Sequence, residues 1–239
     1  MPSETAPTSH EYAQTNLQLY NQLLALGYDD AEVRRVYDAH ELAMRLFTAQ
    51  YQPSGKPTLA HVVGTASILA AQRAPTDVVC AGLLHAAYSH GLFRWWIAAP
   101  ARRRRLVRDR IGSAAEHLVA RYAKFRWSPG AIRALRARLE ELDAVDRRVL
   151  LIRLANELED QLDLGMHFCG EGAFHDLYCG AGLDILVEAA TELGFPDLAT
   201  ALDQTIRASN QAMRPAGLRR AEHRPTLIAP GSESANTKD

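Results

Sequence analysis

Cysteine is scarce in this chain: Cys80, Cys169 and Cys179 are the only three in 239 residues. A number so small and odd excludes a disulfide framework and fits a reducing compartment, so a cytoplasmic location is expected. Strand signals are nearly missing. Beta-branched residues seldom cluster, whereas Ala, Leu, Arg and Glu recur throughout, which argues against a sheet. No apolar run reaches the ~18 residues a bilayer span needs. The first residues, MPSETAPTSH, lack the basic-then-apolar order of a secretory signal. Net charge is also close to absent, at −1 with histidine neutral. Nothing global therefore draws the chain to nucleic acid or to an anionic membrane. What the chain does have is apolar content, 47% against 23% charged, enough for a sizeable core at this length.

The pattern reads as helix after helix. Apolar spacing of three and four residues predicts helices over Glu11–Leu26, Asp30–Ala49, Leu59–Arg73, Thr76–Ser89, Pro100–Ile111, Ala114–Lys124, Pro129–Leu142, Ala144–Leu164, Gly182–Leu193 and Asp197–Ala212. Gly27, Gly91, Gly112, Gly165 and Gly194 stand where a left-handed cap ends a helix. Thr76-Asp77 and Ser128-Pro129 read as starts. Residues 1–213 form one domain on this reading. Residues 214–239, rich in Pro, Ser, Gly and charge, are expected to be disordered. In Ala144–Leu164, Leu151, Leu154, Leu158 and Leu162 make an apolar stripe that Val149 and Ile152 widen. Asn156 falls on the Ile152 side and is expected to point inward. Glu157, Glu159, Asp160 and Asp163 are expected on the solvated side.

Three histidines sit on apolar helix faces. His40 follows Val33 and Val36, His61 precedes Thr65 and Ile68, and His85 follows Val78 and Ala81. A single such histidine is most often a satisfied core residue. Three on succeeding helices, with one inward amide, point to convergent polar groups in an apolar bundle, the makeup of a small-molecule site. His90 lies five residues after His85, a rotation of about 140° from a shared face, and reads first as a solvated histidine near a helix end. The run Arg102 to Arg105 sprays around its helix and reads as a solvated face. Phe93, Trp95 and Trp96 form an apolar trio whose simplest role is packing. His167, Cys169, His175 and Cys179 offer zinc-type ligands without a Cys-x-x-Cys knuckle, and equally form a loop over the bundle.

The segment Tyr51…Gly55-Lys56-Pro57-Thr58-Leu59-Ala60-His61, then Ala81-Gly82-Leu83-Leu84-His85-Ala86, then Arg153-Leu154-Ala155-Asn156-Glu157-Leu158 resembles the HD superfamily. The likeness is to the hydrolase domain of RelA/SpoT-type alarmone enzymes in particular. Order and spacing match across roughly Asp30 to Gly165. The likeness is closer still to a branch of small HD-like proteins in which a phrase such as AGLLHAAYSHG stands in place of the metal-binding phrase. The resemblance implies an HD-type bundle with an extra N-terminal helix and a C-terminal helical hairpin. It also implies a divalent metal, usually manganese, held at the positions of His61, His85, Ala86 and Asn156. Here both carboxylates of that set are replaced, and the family's acidic pair after the second histidine reads Ser89-His90. Hard divalent ions prefer carboxylate oxygen, so pyrophosphate hydrolysis is disfavoured.

The expectation that follows is a metal-independent enzyme of lyase, isomerase or cyclase type acting on a small organic substrate. His85 would be the principal acid/base, His61 its partner, and Asn156, Tyr88, His90 and His40 the substrate-binding groups. No cofactor, nucleic acid or membrane is expected. Two alternatives stay open. One is a non-catalytic ligand- or protein-binding descendant. The other is a zinc or iron enzyme with His61, His85 and His90 as ligands.

Overall fold

A computed structural model describes residues 11–93, 99–168 and 181–212 of the chain, and the fold is all-α. The helices are α1 (Asn16–Ala25), α2 (Asp30–Phe47), α3 (Thr58–Ala71), α4 (Thr76–Leu84), α5 (Ala87–His90), α6 (Pro100–Ile111), α7 (Ser113–Tyr122), α8 (Pro129–Arg133), α9 (Ala144–Gln161), α10 (Ala181–Glu192) and α11 (Pro196–Gln211). Cys169, His175, Cys179, Trp95, Trp96, the side chain of His167 and the segment from Arg214 onward lie outside the described residues.

Local chemistry explains most of the helix limits. α1 begins later than its apolar spacing suggests because Thr15 and Gln18 form a reciprocal capping box. Asp29 and Glu32 do the same for α2. α6 has the limits its sequence predicts, with proline in the first turn and Gly112 at φ 87° behind it. The expected helix over residues 129–142 is broken into α8 and a 3₁₀ turn at Arg136–Arg138. Its apolar spacing nevertheless survives, since Ile132, Leu135, Leu139 and Leu142 are all buried. At the end of α9 the left-handed residues are Asp163 and Leu164, not Gly165.

The core centres on α3 and α4, which are apolar on every face. Every residue from His61 to Ala70 is buried, as is every residue of α4 except Asp77. A helix that is hydrophobic all round belongs inside a bundle. α3 packs against α4 and α9, and α4 also meets α2 and α7. The two innermost helices come close because small residues line their contact. A Cβ added at Gly82 would stand 2.5 Å from Leu69 Cδ1. α1 lies over α2 and α3, and α10 and α11 pack on each other and against α9.

Candidate functional site

His61 stands in the first turn of α3, and the turn before it is tightly built. Gln52 N donates to Lys56 O at 2.8 Å, Gly55 N donates to Gln52 O at 2.8 Å, and Tyr51 pairs with Pro57. Gly55 takes φ 88°, a value that favours glycine. This turn carries Lys56 over the start of α3, where its ammonium bonds Glu159 of α9. His61 Nδ1 bonds the other oxygen of the same carboxylate and lies 3.4 Å from Asp160 Oδ1. Its Nε2 lies 3.2 Å from Asn156 Oδ1. Asn156 is held by its own amide, which donates to Asp160 Oδ2 at 2.8 Å. That bond fixes Oδ1 as the atom facing His61, so Nε2 carries a proton.

His85 closes α4. Its Nδ1 donates to Gly82 O at 2.7 Å. That carbonyl is the acceptor a continuing helix would give to the N–H of Ala86, so the side chain competes with the helix and α4 stops there. The expected helix over residues 76–89 is therefore two pieces, α4 and the single turn α5. The His85 ring lies edge-on to His61, with centroids 5.3 Å apart, and 5.0 Å from the Tyr122 ring of α7. Tyr122 in turn donates to Asn156 Oδ1 at 3.4 Å and accepts from Arg153 at 2.9 Å. The Arg153 guanidinium sits 3.6 Å over the Tyr122 ring. Four helices, α3, α4, α7 and α9, thus meet at one polar cluster.

The electrostatics pull the two imidazoles apart. Burial opposes charge on His61, but Glu159 and then Asp160 outweigh it and lift its pKa to about 9. Burial and then the charge of His61 push His85 down to about 3. Burial, with Glu159 adding to it, raises Asp160 to about 6. At neutral pH the pair is an imidazolium beside a neutral imidazole. With Nδ1 of His85 holding its proton, Nε2 carries the lone pair.

Residues 44–126 match the model of a family described as Domain of unknown function (DUF6817). The matched stretch runs from the end of α2 past α7. It contains His61, His85 and Tyr122 and leaves out Asn156, Glu159 and Asp160. No curated protein matches the chain.

The remaining sequence candidates fall elsewhere or at the edge. Tyr88 donates to Glu116 Oε1 at 2.9 Å, and Arg104 braces the same carboxylate, so the Tyr88 hydroxyl is engaged between α6 and α7. His40 is buried in α2 with its ring edge-on to Tyr20 of α1. His90 is exposed at the end of α5. Partial burial of its ring and then the charge of His61 lower its pKa.

Two residues expected on the solvated side are part of the site. The side chain of Glu159 is 1% exposed, and that of Asp160 is 33% exposed. Both lie three and four residues after Asn156, on its face of α9. With His61 they offer ligand atoms all within 4.8 Å of one another. The manganese set implied by the HD resemblance does not fit these residues. Ala86 has no donor, and Asn156 Oδ1 is engaged by His61 and Tyr122.

Proposed function

We propose that this chain is an enzyme acting on a small organic molecule by proton transfer, in an HD-type bundle whose inherited metal positions at Ala86 and Asn156 have changed role. His85 is the proton-transfer group and His61 its cationic partner. The observation that carries this reading is the His61–His85 pair. The Gly82 carbonyl fixes the His85 tautomer and leaves Nε2 as the proton acceptor, a weak base in the free protein that an anionic substrate would strengthen by offsetting the His61 charge, while the neighbouring imidazolium stabilises developing negative charge. Lys56, Asp160 and Arg153 are partly exposed members of the cluster, and a substrate would approach past one of them. Lyase, isomerase and cyclase reactions need no more than such transfers. The order and spacing of His61, His85 and Asn156 support the HD-type descent.

A second reading, a binding protein without catalysis, is favoured by one observation. Lys56, Glu159, Asn156 and Asp160 already satisfy one another, as an internal ion-pair network does. A substrate screen over small carbonyl compounds, sugars and nucleotides, read as turnover in wild type and His85→Ala, separates the two. The enzyme reading expects a loss of about 10²–10⁴-fold in His85→Ala with folding retained. Full activity of His85→Ala on a true substrate would remove His85 from this role.

A further inference from the structure

His61 Nδ1 faces two carboxylates at once. Glu159 and Asp160 both direct an oxygen at it, and one N–H can serve only one of them well. The opposite ring nitrogen is already provided for by Asn156 Oδ1. A metal-binding histidine is commonly arranged in this way, with its outer N–H given to an oxygen acceptor so that the inner nitrogen presents its lone pair. Asn156 is held in turn by Asp160, so a single bonded chain orients two members of the cluster. A second observation is independent of the carboxylates. His85 is 3% exposed, and its Nδ1 is turned back onto α4. Its ring lies 5.3 Å from that of His61 and 5.0 Å from that of Tyr122.

We propose that His61 Nδ1, Glu159 and Asp160 form a binding site for a divalent first-row transition metal, with Asn156 as the residue that orients it and the His85 ring beside it. The inference rests on the functional reading above and deepens it: the cation takes the place of the His61 Nδ1 proton and supplies the positive charge that polarises a substrate oxygen beside His85. Two carboxylates balance the charge of a dication, and an imidazole nitrogen favours zinc or iron over calcium or magnesium. The site differs from the set implied by the family resemblance. The carboxylates come from one helical turn beyond Asn156, and Asn156 orients where the resemblance has it bind. The Lys56 ammonium on Glu159 competes with the cation for that carboxylate.

The test is calorimetric titration of the full chain, stripped with a chelator, with zinc chloride and separately with manganese chloride. About one equivalent should bind saturably, zinc more tightly than manganese. Asp160→Asn, isosteric and at a partly exposed position, should weaken binding by at least about tenfold, and Asn156→Ala by about 10–100-fold. Lys56→Met should tighten it, a result that a purely structural ion-pair network does not produce. No saturable binding by the wild type would overturn the site, as would affinity unchanged in Asp160→Asn or not increased in Lys56→Met. The two proposals fail separately. Turnover lost in His85→Ala without metal binding sinks the cation alone. Metal binding with full turnover in His85→Ala sinks the proton-transfer role alone.

Discussion

Gly64 is where α3 lets α9 bring its carboxylate in, so Gly64→Ala should destabilise the protein although alanine is the better helix former. A Cβ at this position would stand 2.7 Å from Glu159 Oε1 and 2.8 Å from Glu159 Cγ, well inside van der Waals contact. The Glu159 side chain cannot swing aside freely, because Lys56 and His61 hold its two oxygens. Relief requires either a shift of α9 or the loss of a charged hydrogen bond. Overpacking of this kind costs about 1–3 kcal/mol, and a lost hydrogen bond to a charged group costs about 1.5–3 kcal/mol. Against that, replacing glycine by alanine inside a helix gains about 1 kcal/mol. The net expectation is a loss of up to about 2 kcal/mol, about 1 kcal/mol at the middle of these ranges. At roughly 2–4 °C per kcal/mol for a domain of this size, the melting temperature should fall by up to about 8 °C. Urea unfolding followed by far-ultraviolet circular dichroism measures it. Gly130→Ala is the control, since nothing lies within 4 Å of the added Cβ, and its stability should be unchanged or slightly higher. A Gly64→Ala protein that gains as much stability as Gly130→Ala, or more, would refute the close approach of Glu159 to α3.

Two further outcomes concern the Glu116 cluster. Glu116→Gln should cost about 1–2 kcal/mol at pH 7, since Arg104 and Tyr88 lose a charged acceptor while Arg104, at 41% exposure, is partly screened by water. Burial works against charge on Glu116, but the hydrogen bonds from Arg104 and then Tyr88 outweigh it and hold its pKa below the usual value. A carboxylate lowered in this way contributes stability above its unfolded pKa, near ~4.3, that is lost as pH falls through the folded value. The wild-type and Glu116→Gln stabilities should therefore converge below about pH 4, as read from denaturant midpoints. A gap that stays constant down to pH 3 would contradict this.

Particular residues show what could be read without the structure. The all-helical class followed from the scarcity of strand signals, and α6 has the limits its proline and glycine mark. His61 and Asn156 were expected inward from their spacing, and their ring nitrogen and amide oxygen lie 3.2 Å apart. Glu159 and Asp160 were missed because charge was weighed above periodicity. They share the Asn156 face at three and four residues, and that spacing was the signal available. The end of α4 had no such signal. Ala86 is a good helix former, and the break arises from a side-chain bond of His85 to Gly82 that no pattern announces. Tyr88 was expected among the substrate-binding groups, yet its hydroxyl bonds Glu116.

The proposed chemistry turns on the protonation states of His61 and His85, and nitrogen-15 shifts of the histidine rings across pH 5–8 read both directly. His85 should remain neutral through this range, with its proton on Nδ1 and a bare Nε2, while metal-free His61 stays protonated on both nitrogens. His85 titrating near the ordinary value of ~6.5, or His61 neutral at pH 7, would contradict the arrangement from which the proposed chemistry is drawn.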